Sequence, residues 1–340
     1  MSPTIKDIAR KTGVSHSTVS RALSGSALIP PETTARIRQV AAEMGYQPSA
    51  AARSLKTRRS RVLGVIVSSM DDPFFAEILQ GVEDAAQASG YSLFIASSQR
   101  DAQRSQQITR SLLEHRADGV IICSTSFSTE QNQPFQQAGF PIVVINNQAA
   151  ENFRYSIYHD DVDGARQVTR HLIDLGHRRI AYLGDSLSGR TSLDRLTGYR
   201  AEMDAGGLPI PDGFIHEVAG GTPEIGLPSV DHFLDLPIRP TAIVCFNDML
   251  AIGLLKGLQL AGMAVPADIS ITGFDNIRFS TFTNPPLTTF DQPKRFIGLE
   301  ATRLLLDLLR SENPSGDSEI KILKGRLLVR KSTAAPDESV

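Results

Sequence analysis

From Val62 onward the sequence alternates short, β-rich apolar runs with longer amphipathic stretches, a rhythm that few architectures accept. Runs at 62–67, 91–96, 119–123, 142–145, 180–184, 242–246 and 269–273 are bounded by Gly, Asp or Pro and read as strands. Stretches 74–88, 103–116, 162–175 and 248–261 lie between them and read as helices. Strands that are apolar throughout, instead of on alternate residues, predict parallel sheets covered by helices on both faces. So many strands exceed one small doubly wound sheet and suit two such lobes. The expected fold class is therefore α/β with parallel sheets in a two-lobed body.

In open α/β sheets, ligands bind outside the carboxyl ends of the strands. Here those ends are polar. Asp71, Asp72, Phe74 and Phe75 follow the first run, Ser124 and Thr125 follow 119–123, and Asn146 and Asn147 follow 142–145. Arg190 and Arg195 come after 180–184, Asn247 and Asp248 after 242–246, and Asp275 and Asn276 after 269–273, with Gln292 beyond. Carboxylates, amides and a guanidinium beside an aromatic face suit the hydroxyls and apolar ring face of a sugar. Asp248 could equally cap the helix starting at Met249, and Phe75 could be core. Arg195 and Asp275 have no evident local structural task.

The first 61 residues are different. They hold 11 Lys+Arg against 3 Asp+Glu, whereas the remaining 279 hold 24 against 34. A basic head on an acidic body points to a polyanionic partner for the head alone. Thr4 and Asp7 form a helix start signal, followed by Ile5, Ile8, Ala9 and Thr12 on one face. Gly13 marks a sharp turn. Ser15 can cap a second helix with Val19, Ala22 and Leu23 inward and His16, Ser17, Thr18, Ser20 and Arg21 as its polar positions. Residues 8–31 contain no acid. A third helix starts at Pro31, buries Ile37, Val40, Ala41 and Met44, and ends at Gly45. Two short helices about a glycine turn, the second polar without acids, describe an all-α helix-turn-helix head that reads double-stranded DNA.

The stretches TIKDIARKTGVSHSTVSRALSG and GYQPSAAARSLKTRRS resemble the head and hinge of the lactose-repressor/galactose-repressor (LacI–GalR) family. The resemblance continues through DDPFFAEILQGVE, DGVIICS, RHLIDLGHRRIAYLG, RLTGY, RPTAIVCFNDMLAIG, GFDN and PPLTTFDQP, nearly the whole chain. It implies a body like that of periplasmic sugar-binding proteins and a homodimer on a near-palindromic operator, with a small-molecule effector, a mono- or disaccharide, between the lobes. It implies that Phe74, Asn146, Arg195, Asn247, Asp275 and Gln292 touch the effector. The strand-end reading adds Asp71, Asp72, Ser124 and Arg190. The DNA-contacting set is Thr4, Ser15, His16, Ser17, Thr18, Ser20 and Arg21, joined by Leu55 and Lys56 of a hinge helix over 48–56. A single short helix cannot repay its nucleation cost in water, so the hinge should order only against DNA and a second copy. There Leu55 would be a minor-groove wedge with Lys56 beside it.

The domains follow: a head at 1–46, a hinge at 47–61 and a body at 62–340. Lobe one should take 62–160 and 290–321, and lobe two 162–289 and 322–332. Purine-responsive relatives place an aromatic platform where this chain has Ala219-Gly220-Gly221-Thr222, which favours a sugar over a purine.

Other functions have weaker marks. Residues 184–191, GDSLSGRT, imitate the phosphate-binding GxxxxGK[ST] loop, but Arg190 stands where lysine is needed. His159-Asp160-Asp161 could serve as a general base, yet no nucleophile motif accompanies it. The histidines show no metal-ligand spacing, so no metal and no cofactor is expected. Cys123 and Cys245 read as buried thiols. No apolar run reaches the roughly 18 residues needed to cross a bilayer. The first residues lack a secretory pattern, so a non-enzymatic, cytoplasmic protein is expected. The polar tail after Arg330 lacks a leucine heptad and favours a dimer over a tetramer.

Overall fold

A computed structural model describes residues 3–46, 59–123, 139–146, 153–311 and 319–337, and positions 133, 135 and 137. The chain forms two units, Met1–Ser60 and Arg61–Val340.

In the first unit, α1 (Ile5–Thr12) begins with a capping box: the Thr4 hydroxyl accepts from the Asp7 amide, and Asp7 accepts from the Thr4 amide. Hydrogen bonds from Thr4 hold the Asp7 carboxyl below its ordinary range. Gly13, in the left-handed region at φ 71°, ends the helix and allows the turn. The helix α2 (His16–Leu23) starts where the Ser15 hydroxyl accepts from the Thr18 amide, and α3 (Pro31–Glu43) starts on a proline. Ile8, Val19, Ala22, Ile37 and Ala41 close the core of the three.

The second unit contains two six-stranded sheets. The first uses β1 (Val62–Val67), β2 (Ser92–Ser97), β3 (Gly119–Cys123), β4 (Ile142–Ile145), β5 (Tyr155–His159) and β11 (Glu319–Leu323), in the order β11-β5-β4-β3-β1-β2, all parallel. The second uses β6 (Ile180–Asp185), β7 (Ile215–Val218), β8 (Ala242–Cys245), β9 (Ser270–Asp275), β10 (Thr288–Asp291) and β12 (Arg326–Leu328), in the order β12-β10-β9-β8-β6-β7. There only β12 runs antiparallel. Every residue of β3, β6 and β9 is buried, as strands covered on both faces require.

The first lobe's helices are α4 (Pro73–Ala88), α5 (Ala102–Glu114) and, late in the chain, α11 (Lys294–Arg310), which packs along α4. The second lobe's are α6 (Asp161–Asp174), α7 (Gly189–Ala205), the short α8 (Pro223–Gly226) and α9 (Ser229–Leu234), and α10 (Asp248–Leu260). Each sheet carries one apolar cluster on either face. The chain passes between lobes at residue 160, after Asp291 and between Leu323 and Arg326. The second passage comes slightly later than the expected 290, because β10 stays paired with β9 through Asp291↔Asp275. The third also comes after the expected 321, because Leu323 still pairs with His159.

Candidate functional site

The carboxyl ends of the two sheets face one another across a cleft. Its mouth encloses about 530 Å³ between Ser69, Asp71, Gln99 and Arg100 of the first lobe and Gly221 and Glu224 of the second. A narrow inner end of about 60 Å³ is lined by Phe74, Phe75, Asn146, Thr191, Arg195 and Asp275. Ser68, Asp72, Arg100 and Asn247 line both.

Backbone strain gathers here. Seven non-glycine residues have positive φ among the described residues, and five of them, Gln99, Arg100, Asn146, Asp275 and Asn276, stand at strand ends beside the cleft. Such conformations cost on the order of 1–3 kcal/mol each and persist only where surrounding structure imposes them.

Arg195 is the hub of the inner end. Its Nε donates to Asp161 Oδ1 (2.7 Å), Nη1 to the Phe246 carbonyl (2.5 Å) and Nη2 to Asp275 Oδ1 (3.3 Å). The guanidinium also lies 4.5 Å from the Phe246 ring centre and 3.9 Å from that of Phe274. Arg195 therefore has the structural task that sequence could not supply: it clamps α6, β8 and β9 together. Burial works to raise the Asp161 carboxyl, but the neighbouring His159 and Arg195 charges outweigh it and hold Asp161 low. Asp275 has no such surplus. Burial, only partly offset by Arg195, pushes its carboxyl up to about 7. Gln292 is buried and does not line the cavity; its Nε2 donates to Asp275 Oδ1 (2.5 Å) and fixes that carboxylate from behind.

Two lining side chains carry buried polar atoms with no partner among the described residues: Asn146 Oδ1 and Thr191 Oγ1. Buried polar atoms are almost always bonded, so these two stand out among the lining groups.

Other expected residues are placed differently. Asp72 caps α4 through the Phe74 amide (2.9 Å), and burial raises its carboxyl. Asp71 is exposed at the mouth beside Ser69. Asn247 caps α10 through the Leu250 amide (2.8 Å) and gives Nδ2 to the Gly221 carbonyl (3.0 Å), so most of its hydrogen-bonding capacity is used within the lobe. Asp248 is not the cap. Its buried carboxylate accepts from the Ile277 amide and the Thr289 hydroxyl, and burial pushes it up to about 8. Phe75 faces the cleft edge-to-face with Phe74, ring centres 5.3 Å apart.

Arg190 corrects the sequence reading. It points along the outer surface of α7 to Asp194 (2.8 Å), because one residue of helical rotation gives the cleft to Thr191 instead. Ser124, Leu55 and Lys56 lie outside the described residues.

Sequence reasoning missed Arg100, Thr191 and, as Arg195's partner, Asp161. Arg100 follows the end of β2, so the strand-end rule would have selected it. Thr191 required the helical phase of α7. Asp161 required knowing which residue the first lobe crossing sets beside Arg195.

The phosphate-loop imitation at 184–191 is filled by its own carboxylate. Asp185 accepts from the Leu187 amide (2.9 Å) and the Ser188 hydroxyl (2.5 Å), the donors an anion would need. Both cysteines are buried, and burial pushes the Cys123 thiol up to about 12.

In the head, α2 presents His16, Ser17 and Arg21 fully exposed, with Ser20 and Thr18 half-buried and Val19 and Ala22 inward. Thr4 and Ser15 spend their hydroxyls on capping, Ser15 also meeting Ser17 and Thr18. No described helix is long and apolar enough to cross a membrane.

Residues 4–49 match the family model of bacterial regulatory proteins of the lacI family, and residues 60–326 match that of periplasmic binding proteins and the sugar binding domain of the LacI family. The HTH-type transcriptional repressor PurR of Actinobacillus pleuropneumoniae is 32% identical over 97% of this chain and 98% of its own. The ribose operon repressor of Haemophilus influenzae is 33% identical over the same shares. Among solved structures, a lac repressor dimer bound to operator and an anti-inducer superposes with a TM-score of 0.89 at 26% identity, covering 98% of this chain and 100% of that one. A LacI-family regulator from Enterococcus faecium with bound ribose superposes at 0.72 and 28% identity, covering 81% and 99%. The chain belongs to the LacI family: it is a DNA-binding transcriptional repressor whose body is an effector-binding domain.

Proposed function

We propose that the effector is a mono- or disaccharide held between the lobes and that it controls operator binding by a homodimer. The observation that carries the reading is the inner end of the cleft. There Asn146 Oδ1 and Thr191 Oγ1 await partners beside a paired Asp275 and Arg195, with Phe74, Phe75 and Phe246 as apolar walls. Polar groups for hydroxyls and rings for a sugar's C–H face are the complement of a pyranose or furanose. A purine is less well served. The stretch Ala219–Thr222 carries no ring, and at Gly221 an added Cβ would meet Asn247 Nδ2 at 2.8 Å and Asp185 Oδ2 at 3.2 Å. A larger residue at Gly221 would have to displace the Asn247 and Asp185 side chains, so the loop as it stands offers no stacking platform.

On the DNA side, His16, Ser17, Ser20 and Arg21 of α2 would read base edges in the major groove of a near-palindromic operator. The likeness to a repressor dimer on its operator supports that arrangement. Leu55 and Lys56 would act from the minor groove.

A thermal-shift screen of sugars and nucleobases identifies the ligand, because whatever binds the native state raises its apparent stability. Calorimetry on Asp275→Ala then tests the cleft. Charged hydrogen bonds contribute about 1.5–3 kcal/mol, so affinity should fall at least about tenfold while operator binding persists without effector control. An undiminished effector response would refute the assignment.

A further inference from the structure

The charges of the cleft distinguish two kinds of sugar. Four carboxylates line it: Asp71 and Asp72 from the first lobe, Glu224 and Asp275 from the second. Two cations line it, and both are already paired, Arg195 with Asp161 and Asp275, and Arg100 with Asp185 across the mouth at 3.5 Å. Behind Asp275, the Lys294 ammonium is bonded to the Asp275 and Asn276 carbonyls. The parts of the body outside the described residues (124–132, 134, 136, 138, 147–152, 312–318 and 338–340) contain no lysine or arginine. Among the described residues, no other lysine or arginine lines the cleft.

One feature favours an anion: α7 opens beside the cleft without a side-chain cap, and helix N-termini attract negative charge. The buried Asp185 in the preceding turn, which accepts from the Leu187 amide and the Ser188 hydroxyl, sets a carboxylate of its own just ahead of that helix start. What remains unmet is of another kind. In the lining, Asn146 Oδ1 is a buried acceptor without a donor among the described residues, beside the unpartnered Thr191 Oγ1. A hydroxyl group can donate to such atoms, whereas a phosphate dianion has no proton to give.

We propose that the cleft takes an uncharged, unphosphorylated polyol and rejects the phosphate ester of the same molecule. This rests on the sugar reading above, and the test separates the two. Full-length protein is titrated calorimetrically with matched pairs: ribose and ribose 5-phosphate, glucose and glucose 6-phosphate, fructose and fructose 1-phosphate, and inosine and inosine monophosphate. The expected result is that one uncharged member binds and its ester binds at least about 100-fold more weakly, since the ester's charge meets four carboxylates around the cleft. In the double variant Asp71→Asn/Glu224→Gln that ratio should narrow about tenfold, which exclusion by size alone would not produce. An ester within threefold of its parent, an unchanged ratio in the variant, or a panel in which no uncharged member binds would overturn the proposal. If inosine binds and its monophosphate does not, the sugar reading falls while the exclusion of phosphate stands.

Discussion

Replacing Arg195 by methionine keeps most of the side-chain volume and removes the charge and all of its donors. Wild-type Arg195 is 4% exposed and serves Asp161, Asp275 and the Phe246 carbonyl. The variant leaves the Phe246 carbonyl without this donor and two buried carboxylates without their guanidinium, with Gln292 still bonded to Asp275 and His159 still beside Asp161. Removing one partner of a buried ion pair typically costs about 3–5 kcal/mol, because the other charge stays buried without compensation. The two ring contacts add about 1 kcal/mol, within the scatter of that figure. We expect a loss of about 3–5 kcal/mol from the body's unfolding free energy at pH 8.

The loss should depend on pH in a definite direction. Asp161 is held low in the wild type by charges that outweigh its burial, so its pairing stabilises the fold above its ordinary titration range. Without Arg195, burial is opposed less and the folded-state pKa values of Asp161 and Asp275 both rise. The folded variant then takes up protons that the unfolded chain has released, which relieves the penalty as pH falls. A shift of one unit is worth about 1.4 kcal/mol, so the loss at pH 5.5 should be smaller than at pH 8 by about 1.5–3 kcal/mol. Urea unfolding of the full chain, followed by circular dichroism at both pH values, measures this. A loss below about 1 kcal/mol at pH 8, or an equal loss at the two pH values, would refute the reasoning.

Three further outcomes are expected. Arg21→Ala or Ser17→Ala should reduce the ratio of operator to nonspecific affinity at fixed salt in fluorescence anisotropy, each lost base contact costing about 1–3 kcal/mol; unchanged ratios in both would remove α2 as the reading helix. Leu55→Ala should weaken specific binding and DNA bending, read with circularly permuted fragments, while nonspecific salt-dependent binding stays nearly constant; equal bending counts against a wedge. Wild-type body stability should fall as pH rises from about 5 to about 8. Burial raises Asp248 to about 8 and Asp275 to about 7, so the folded state holds protons that the unfolded chain gives up from its ordinary carboxyl pKa upward. Asp248→Asn should flatten that thermal-unfolding profile, and a wild-type profile rising over this range would contradict it.

The parallel core was legible because residues covered on both faces must be apolar whatever their neighbours. β3 and β8 coincide with uninterrupted apolar runs. The late strand β10, TTFD, and the edge strand β7, IHEV, were not, since half or more of their residues are polar and only pairing partners distant in sequence make them strands. The helix α7 was hidden for a related reason. Leu196, Tyr199 and Met203 give its later turns an apolar period, but its first turns bury Thr191, Ser192, Asp194 and Arg195, so the period does not reach the helix start. Strand-end chemistry marked Asp275 and Asn146 correctly as cleft residues because a topological rule selects them. It misplaced Arg190, where a single residue of helical phase decides between cleft and solvent.

The residues at the inner end of the cleft are bonded to the segments that connect the lobes. Asp161, which fixes Arg195, is the first residue of α6 just after the crossing at 160. Gln292, which fixes Asp275, sits in the crossing after β10, and Lys294, bonded to the Asp275 and Asn276 carbonyls, opens the helix that returns to the first lobe. Asp291 in turn accepts from Asn276 Nδ2 (2.9 Å), and Arg326, just past the third crossing, lies 3.7 Å from Asp291. The Asp275 carboxylate and the Arg195 guanidinium are therefore bonded to the first two connecting segments, and the third is reached through Asn276, Asp291 and Arg326. Packed, bonded joints of this kind move between discrete arrangements and not by continuous bending. Coupling of about 1–3 kcal/mol, which changes operator affinity roughly 5- to 150-fold, is within reach of one or two such charged hydrogen bonds made or broken at the pivot.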